Sequence, residues 1–259
     1  MKTIPDFARH KQAQQKIAMI TCYDYASARI LNATDVDCLL VGDSLAMTMH
    51  GHPSTVHATL DMMALHTAAV ARGAPDKLIV SDLPFLSYRK SLADTMESVQ
   101  RLMTAGATAV KLEGIDGHAD WVRHITQSGV PVVGHLGMLP QSVHAVGGYH
   151  VQRDDDLLRQ AKELEAAGAC AIVLECVPLT LSKTITEALA IPTIGIGAGM
   201  HTDGQVLVWQ DMLGLDTQFT PKFLRRYLDG KAQVQAAVNR YTADVHNGTF
   251  PSEAESYQP

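Results

Sequence analysis

The sequence predicts a (β/α)8 TIM barrel with an extra N-terminal helix and additional C-terminal helices. Short apolar segments recur along the 259 residues, and helix-like segments separate them. The apolar segments are continuous rather than alternating, which is typical of parallel strands covered on both faces. Eight strands in about 250 residues match the size of such a barrel. A doubly wound open sheet is the alternative that this pattern also allows.

The predicted strands are the apolar segments themselves, and the eighth has the weakest pattern. In chain order they are Ile17–Thr21, 36–41, 77–81, 107–112, 130–134, 169–174, Thr193–Ile196 and 205–209.

Capping and stop signals predict the helices between these strands. Ser91 followed by Asp94 is a capping-box pattern, and a helix that begins there ends at Gly106. Two more helices are predicted over 59–72 and over 154–168, with Asp154 opening the latter.

The chain ends extend this barrel, and we expect one domain over 1–259. The first 16 residues hold a predicted helix at 5–15. Residues 221–247 are predicted to be helical with a break at Gly230. The tail, 248–259, has no Lys or Arg and is expected to be loose.

Composition argues against several classes of partner. The net charge is −6 with no basic cluster, so nucleic acid is not an expected partner. The N-terminus lacks the apolar segment of a signal peptide, and no apolar run approaches ~20 residues, so no membrane span is expected. The four cysteines form no CxxC pair, which favours reduced thiols in a cytoplasmic protein.

Polar side chains follow five successive strands, at the end of the barrel where active sites lie. A lone Asp after a strand usually caps a helix, but five successive strand ends are harder to explain as caps. Gly42 is expected to let the chain turn after the second strand. The polar residues are Asp43, Ser44, Asp82, Lys111, Glu113, His135 and Glu175.

Strand geometry places two of these residues on one face. Lys111 and Glu113 are two apart and point the same way, whereas Val110 and Leu112 point the other way. If helices cover the Val110 side, Lys111 and Glu113 point into the barrel.

Three carboxylates, from Asp43, Asp82 and Glu113, are then expected to converge at the mouth. They would repel one another unless a cation were present, and an all-oxygen set favours Mg²⁺. Lys111 would offer a positive charge to a substrate carboxylate or a developing oxyanion. The alternative is a Lys111–Glu113 ion pair that only fills the barrel.

Glu175 arrives from the sixth strand, apart from the acidic trio. Such a carboxylate can act as a general base; alternatively, it binds a backbone amide or a loop arginine. His135 could donate a hydrogen bond to a substrate, although a lone histidine is more often a structural core residue.

Three other motifs are weaker. The GxGxG pattern in 194–204 follows a strand but lacks the full dinucleotide fingerprint, so we interpret it as a tight turn rather than a phosphate site. The His-Gly-His motif at 50–52 could suggest zinc but lies past the strand end. The Gly-rich segment 144–152 is a candidate lid or binding loop.

A set of motifs resembles the ketopantoate hydroxymethyltransferase family. They run in order from about residue 17 to 222 and include TCYDY, LLVGDSLAMTMHGH, DLPF, AVKLEG, GHLGMLPQSV, VLECVP and ITEALAIPTIGIGAG. The match covers most of the chain, and the strand-end motifs occur together at the family's spacing.

The resemblance implies a barrel similar to phosphoenolpyruvate mutase and isocitrate lyase. It implies transfer of a one-carbon unit from 5,10-methylenetetrahydrofolate to 3-methyl-2-oxobutanoate, giving 2-dehydropantoate in the first committed step of pantothenate biosynthesis. By the family pattern the catalytic proton acceptor is Glu175, with Lys111 and His135 also in the site. A homodecamer of two pentameric rings is implied as well.

The same resemblance assigns binding roles at the strand ends. Asp43 and Asp82 are expected to bind Mg²⁺, with Glu113 completing the shell directly or through water. Asp43, Ser44, Asp82 and Lys111 are expected to contact the keto acid.

Two alternative classes stay open. A Mg²⁺-dependent lyase or mutase acting on a small 2-oxo acid would share the metal site without needing folate. A non-catalytic barrel that binds a metabolite would show no turnover. A zinc hydrolase fits less well, because zinc sites favour histidine ligands.

Overall fold

The computed structural model describes residues 3–147, 156–216 and 220–258. The chain forms two compact units, 1–208 and 209–259, and the expectation of a single domain stays a prediction. In the first unit, eight parallel strands pair in sequential order and close into a barrel. This closure confirms the predicted (β/α)8 fold class and excludes the open doubly wound sheet.

The strands lie close to the predicted positions. They are β1 (Ile17–Thr21), β2 (Cys38–Val41), β3 (Leu78–Asp82), β4 (Ala109–Glu113), β5 (Val132–Gly137), β6 (Ala171–Glu175), β7 (Thr193–Ile196) and β8 (Gly204–Leu207).

Helices follow each of the strands β1 to β6 in the first unit, and two are found in the described part of the second. They are α1 (Pro5–Gln12), α2 (Tyr25–Asn32), α3 (Leu45–Thr48), α4 (Leu60–Gly73), α5 (Leu92–Thr104), α6 (Ala119–Gln127), α7 (Val143–Val146), α8 (Leu157–Ala166), α9 (Leu179–Ala188), α10 (Trp209–Met212) and α11 (Gly230–His246). Single 3-10 turns lie at Thr55–His57, Pro140–Ser142 and Glu253–Glu255.

Side chains cap the N-termini of α4 and α5 at the predicted positions. Thr59 accepts a hydrogen bond from the backbone N–H of Met62, and Ser91 accepts one from Asp94. These caps satisfy N–H groups that have no partner inside the helix. The predicted opener of α8, Asp154, lies outside the described residues; α8 begins at Leu157.

Two predicted helical stretches are shorter than expected. The helix predicted at 5–15 ends at Gln12, and Gln14 has a left-handed φ of 54° that breaks the helical repeat. Residues 221–229 are not helical, so that part of the prediction is wrong. There the N–H groups of Tyr227 and Gly230 bond to the carbonyls of Met212 and Leu213 instead of to the preceding turn.

The barrel interior is filled by alternate strand residues, as the strand period requires. Helix α1 adds Phe7, which is fully buried. Lys11 of the same helix donates to the carbonyls of Thr186 and Ile191 and to the carboxylate of Asp203, just before β7 and β8. Helix α1 therefore closes the N-terminal end of the barrel. The core cluster is Phe7, Ile17, Met19, Cys38, Leu40, Leu78, Val80, Ala109, Val133, Ala171, Val173, Ile194 and Val206.

This closure predicts that Phe7→Ala destabilises the protein by about 3–5 kcal/mol, because the change leaves a cavity in the core. The midpoint of urea unfolding measures the effect. Leu65→Ala, at a position that is 69% exposed, is the control. Equal midpoints for the two variants would contradict the role of Phe7.

The remaining structural expectations concern cysteines and membranes. All four cysteines are free thiols, and Cys22 and Cys38 are buried. Among the described residues, no helix has the length and apolar character needed to cross a membrane.

Candidate active site at the C-terminal mouth of the barrel

Strand register brings the polar strand ends side by side. Asp82 pairs with Lys111, Glu113 with His135, and Gly137 with Glu175 across neighbouring strands. All of these positions lie at the carboxyl ends of β3 to β6, the end where barrel enzymes hold their active sites.

The expected inward orientation of Lys111 and Glu113 follows from the core cluster. Ala109 belongs to the barrel interior, and Lys111 and Glu113 share its parity along β4. In the same way Val173 lies in the interior and Glu175 follows it on the same face of β6.

Asp82, at the end of β3, contacts residues at the ends of both neighbouring strands, β2 and β4. Its Oδ2 accepts a hydrogen bond from the backbone N–H of Asp43 at 3.0 Å and lies 3.2 Å from Nζ of Lys111. The side chains of Asp82 and Lys111 are only 4% and 6% exposed, so their ion pair is shielded from water.

His135 lies between the acidic trio and Glu175. Its Nδ1 lies 3.5 Å from Glu113 Oε1 and 3.3 Å from Lys111 Nζ, and its Nε2 lies 3.2 Å from Glu175 Oε2. The Glu175 side chain is 17% exposed, against 3% for His135 and for Glu113. Glu175 is therefore the acidic group most open to a ligand that enters the mouth.

Burial and mutual repulsion govern the charges of this cluster. Burial raises the pKa of Asp43 well above its usual value, and the nearby Asp82 and Glu113 raise it further. Burial opposes the charge on Lys111, but attraction to Asp82, Glu113 and Asp43 outweighs it and raises the lysine pKa. Burial and Lys111 likewise oppose a charge on His135, yet Glu113 and Glu175 raise its pKa to about 9. The site thus favours additional positive charge near Asp43.

Asp43 and Ser44 do not cap the helix that follows them. Ser44 makes no side-chain cap bond to α3, and its hydroxyl lies 2.8 Å from the hydroxyl of Tyr23. Gly42 does not have the left-handed backbone expected of a turn glycine. A Cβ there would lie 2.9 Å from Ser44 Oγ and 3.6 Å from Asp82 Oδ2, so Gly42 leaves room for the site's polar groups.

The donor set fits a hard cation that keeps water ligands. Across the described ranges, Asp82 Oδ1 and Glu113 Oε1 are buried and have no hydrogen-bond partner. In the same ranges, no group of three His, Cys, Asp or Glu side chains is arranged to hold a metal ion by itself, so waters or substrate oxygens would have to complete its coordination. Mg²⁺ suits such an open arrangement, because it is usually held by one or two carboxylates together with waters and substrate oxygens.

Gly137 fixes the backbone beside Glu175. Its φ is +97°, and a Cβ there would lie 2.2 Å from the carbonyl oxygen of Glu175. The N–H of Met138 also donates to that oxygen at 2.9 Å. Only glycine permits this close approach of β5 and β6.

We therefore expect Gly137→Ala to be more destabilising than Gly117→Ala. Gly117 has a similar φ of +79°, but a Cβ added there would meet nothing within 4 Å. Alanine at 117 therefore loses only the about 1–2 kcal/mol of stability that a left-handed backbone conformation costs a residue with a Cβ. The clash at Gly137 adds to that cost. Thermal unfolding of the two variants gives the comparison, and equal losses would rule out the clash.

Three buried side chains of the site were not predicted. Gln141 bonds to Asp43 and Glu113, Tyr88 bonds to Gln141, and Tyr23 contacts Ser44. Tyr23 follows the end of β1 as Ser44 follows β2, so applying the strand-end rule to the first strand would have found it. Tyr88 and Gln141 lie farther past the ends of β3 and β5, where that rule gives no signal.

The weaker motifs lie elsewhere or are only partly described. His50 Nε2 contacts His66 Nε2 at 2.9 Å, so the 50–52 motif packs against α4. Gly197 and Gly199 have left-handed φ values of 66° and 80°, as a tight turn requires. Residues 148–152 of the candidate lid lie outside the described residues.

Comparisons with known proteins identify the family of this chain. A family model described as ketopantoate hydroxymethyltransferase matches residues 1–253. The 3-methyl-2-oxobutanoate hydroxymethyltransferase of Bdellovibrio bacteriovorus is 56% identical over 262 residues, covering 99% of this chain and 100% of that protein. The protein of the same name from Legionella pneumophila is 52% identical over 260 residues, covering 98% of this chain and 99% of its own.

Solved structures share the fold at low identity. A 2,3-dimethylmalate lyase, described as a PEP mutase/isocitrate lyase superfamily member, has a TM-score of 0.62 at 14% identity, over 100% of this chain and 92% of its own. A phosphonopyruvate hydrolase in complex with oxalate and Mg²⁺ has a TM-score of 0.65 at 12% identity, over 98% and 93%. At these identities the likeness shows the barrel fold alone. The family model and the close relatives together show that the chain belongs to the ketopantoate hydroxymethyltransferase family.

Proposed function

We propose that this protein transfers the one-carbon unit of 5,10-methylenetetrahydrofolate to 3-methyl-2-oxobutanoate, giving 2-dehydropantoate in the pathway to pantothenate. The supporting relatives are named 3-methyl-2-oxobutanoate hydroxymethyltransferase, which covers the acceptor and the group transferred, and they match the chain over nearly its whole length. The chemistry is an enolisation of the keto acid followed by an aldol-type carbon–carbon bond.

The observation that carries the proposal is the separation of Glu175 from the other carboxylates. Asp43, Asp82 and Glu113 lie on β2, β3 and β4 or just after them, whereas Glu175 ends β6. His135 lies between Glu175 and Glu113 and contacts both. A carboxylate set apart in this way, and more exposed than its neighbours, can accept a proton from a bound substrate.

The side chains have complementary roles in the proposed reaction. Glu175 removes the proton at C3 of the keto acid, which leaves an enolate. Lys111, whose ammonium is held by Asp82, stabilises the negative charge that develops. His135 contacts Glu175 at 3.2 Å and holds its carboxylate in place for the transfer. Ser44 would contact the substrate carboxylate.

Asp43 and Asp82 are the residues that would hold Mg²⁺, with Glu113 binding directly or through a water. When bound there, the ion would act as a Lewis acid that makes the C3 proton more acidic. The unpartnered oxygens of Asp82 and Glu113 support this assignment.

The overall reaction balances with one water. The C3–H bond of the keto acid breaks and the proton goes to Glu175. The C3 carbanion equivalent bonds to the methylene carbon, whose bonds to the two folate nitrogens break. The new hydroxyl takes its oxygen and one hydrogen from water. The proton held by Glu175 and the other proton of the water go to the two folate nitrogens, and tetrahydrofolate leaves.

A transfer assay tests this proposal. The purified protein is incubated with Mg²⁺, 3-methyl-2-oxobutanoate and methylenetetrahydrofolate labelled with ¹³C at the methylene carbon. We expect ¹³C-labelled 2-dehydropantoate in the NMR spectrum, and none when folate is omitted. Cleavage or rearrangement of a 2-oxo acid without any need for folate would instead favour a lyase or mutase.

A further inference from the structure

We infer that Gln141 is a positioning residue that holds the carboxylates of Asp43 and Glu113 in the arrangement that receives the metal ion. This inference rests on the proposed function, because that function places Mg²⁺ at these carboxylates. It adds a residue that lies outside the set predicted from the strand ends.

Gln141 bonds to both carboxylates from one position after β5. Its backbone N–H donates to Glu113 Oε2 at 3.0 Å, and its side-chain Nε2 donates to Asp43 Oδ2 at 2.8 Å. The second N–H of the amide donates to the carbonyl of Leu83 at 3.0 Å. Gln141 is 6% exposed, so water does not compete for these bonds.

The orientation of the amide is fixed by its neighbours. A carboxylate and a carbonyl can only accept hydrogen bonds, so the NH₂ group must face Asp43 and Leu83. The amide oxygen then faces Tyr88, whose hydroxyl donates to it at 2.8 Å. The Tyr88 oxygen in turn accepts from the backbone N–H of Glu113 at 3.1 Å. Gln141 and Tyr88 thus form one closed network with no freedom to flip.

This network leaves selected oxygens free for a ligand. Gln141 occupies Glu113 Oε2, while Glu113 Oε1 is buried, makes no hydrogen bond in the described part of the chain and lies 3.5 Å from His135 Nδ1. Asp82 shows the same division, since Lys111 and the Asp43 N–H occupy Oδ2 while Oδ1 has no partner there.

A calorimetric titration of the protein with MgCl₂ alone measures its affinity for Mg²⁺ and tests the inference. Gln141→Met keeps the side-chain volume and removes the amide, and we expect it to weaken Mg²⁺ binding by about 10–100-fold, the usual effect of losing an outer partner of a metal site. Gln127→Met, at an exposed position at the end of α6, is the matched control and should bind as the unaltered protein does.

Tyr88→Phe tests whether Gln141 acts by positioning, because it removes the hydroxyl that binds the Gln141 amide and keeps the packed ring. If Tyr88 acts through Gln141, Tyr88→Phe weakens Mg²⁺ binding alone but adds less than about twofold in the Gln141→Met background, since coupled residues are not additive. Fully additive losses would overturn this link. If Gln141→Met does not fold, Tyr88→Phe decides the matter, and an affinity equal to that of the unaltered protein would count against the network.

The two possible failures have different signatures. Mg²⁺ binding by Gln141→Met within about twofold of the unaltered protein would overturn the role of Gln141 and leave the proposed function standing. Absence of Mg²⁺ binding by the unaltered protein would overturn the metal site and the role of Gln141, whereas the ¹³C transfer assay tests the proposed reaction separately.

Discussion

Glu175→Gln is expected to slow the exchange of the C3 proton of 3-methyl-2-oxobutanoate in deuterated water. The exchange rate should fall by at least about 100-fold, which is the lower end of the contribution of a general base. Glutamine keeps the shape of the side chain and its reach toward His135 but cannot accept the proton. Proton NMR of the keto acid with Mg²⁺ and without folate measures this step apart from one-carbon transfer.

Glu187→Gln makes the same chemical change on the exposed surface of α9, where Glu187 is 67% exposed, and should exchange the proton at the normal rate. Thermal unfolding of both variants shows whether the folds are intact. Normal exchange by a folded Glu175→Gln variant would mean that another group is the base.

Asp82→Asn is expected to weaken Mg²⁺ binding by more than about 100-fold, beyond the range for outer partners of metal sites. Asp82 would supply the free oxygen Oδ1, and its charge also balances Lys111 at 3.2 Å. Replacing it by a neutral amide leaves the buried ammonium next to the metal position with one anionic neighbour fewer. Both effects oppose a dication.

Asp120→Asn is the control for this change, because Asp120 is 90% exposed and pairs only with Arg123 on α6 among the contacts described for it. Calorimetric titration with MgCl₂ compares the two variants. An unchanged affinity in Asp82→Asn would contradict the ligand role of this residue.

The barrel was predictable because its signals are local and repeated. Each strand is a continuous apolar segment, and β1 and β7 begin and end at the predicted residues, Ile17–Thr21 and Thr193–Ile196. The boundaries of the other six strands differ from the prediction by one to three residues. In β4 and β6 the observed strand begins later because the apolar residues Ala107 and Ala169 pack in the core before the ladder begins.

The 221–229 segment shows where local signals were insufficient. Its composition suits a helix, but the N–H groups of Tyr227 and Gly230 find partners on the carbonyls at the end of α10. A choice between a partner in the preceding turn and one far along the chain depends on tertiary contacts, which propensity does not encode.

The candidate site also contains residues that the sequence could predict and residues that it could not. The strand-end residues could be predicted because parity and register follow from the strand period, so Lys111, Glu113 and His135 had to share the barrel mouth. Gln141 and Tyr88 come from irregular segments after β5 and β3, where no period fixes the direction of a side chain. The hydrogen bond between them joins residues 53 positions apart in the sequence, and such a contact is seen only in the folded structure.

The most direct test of the account is a crystal structure of the protein with Mg²⁺ and 3-methyl-2-oxobutanoate. The account predicts one ion bound by Asp43 and Asp82, with Glu113 in its shell directly or through a water. It also predicts that C3 of the keto acid faces the carboxylate of Glu175. An ion or keto acid bound away from the strand ends of β2 to β4, or a C3 atom that faces away from Glu175, would contradict it.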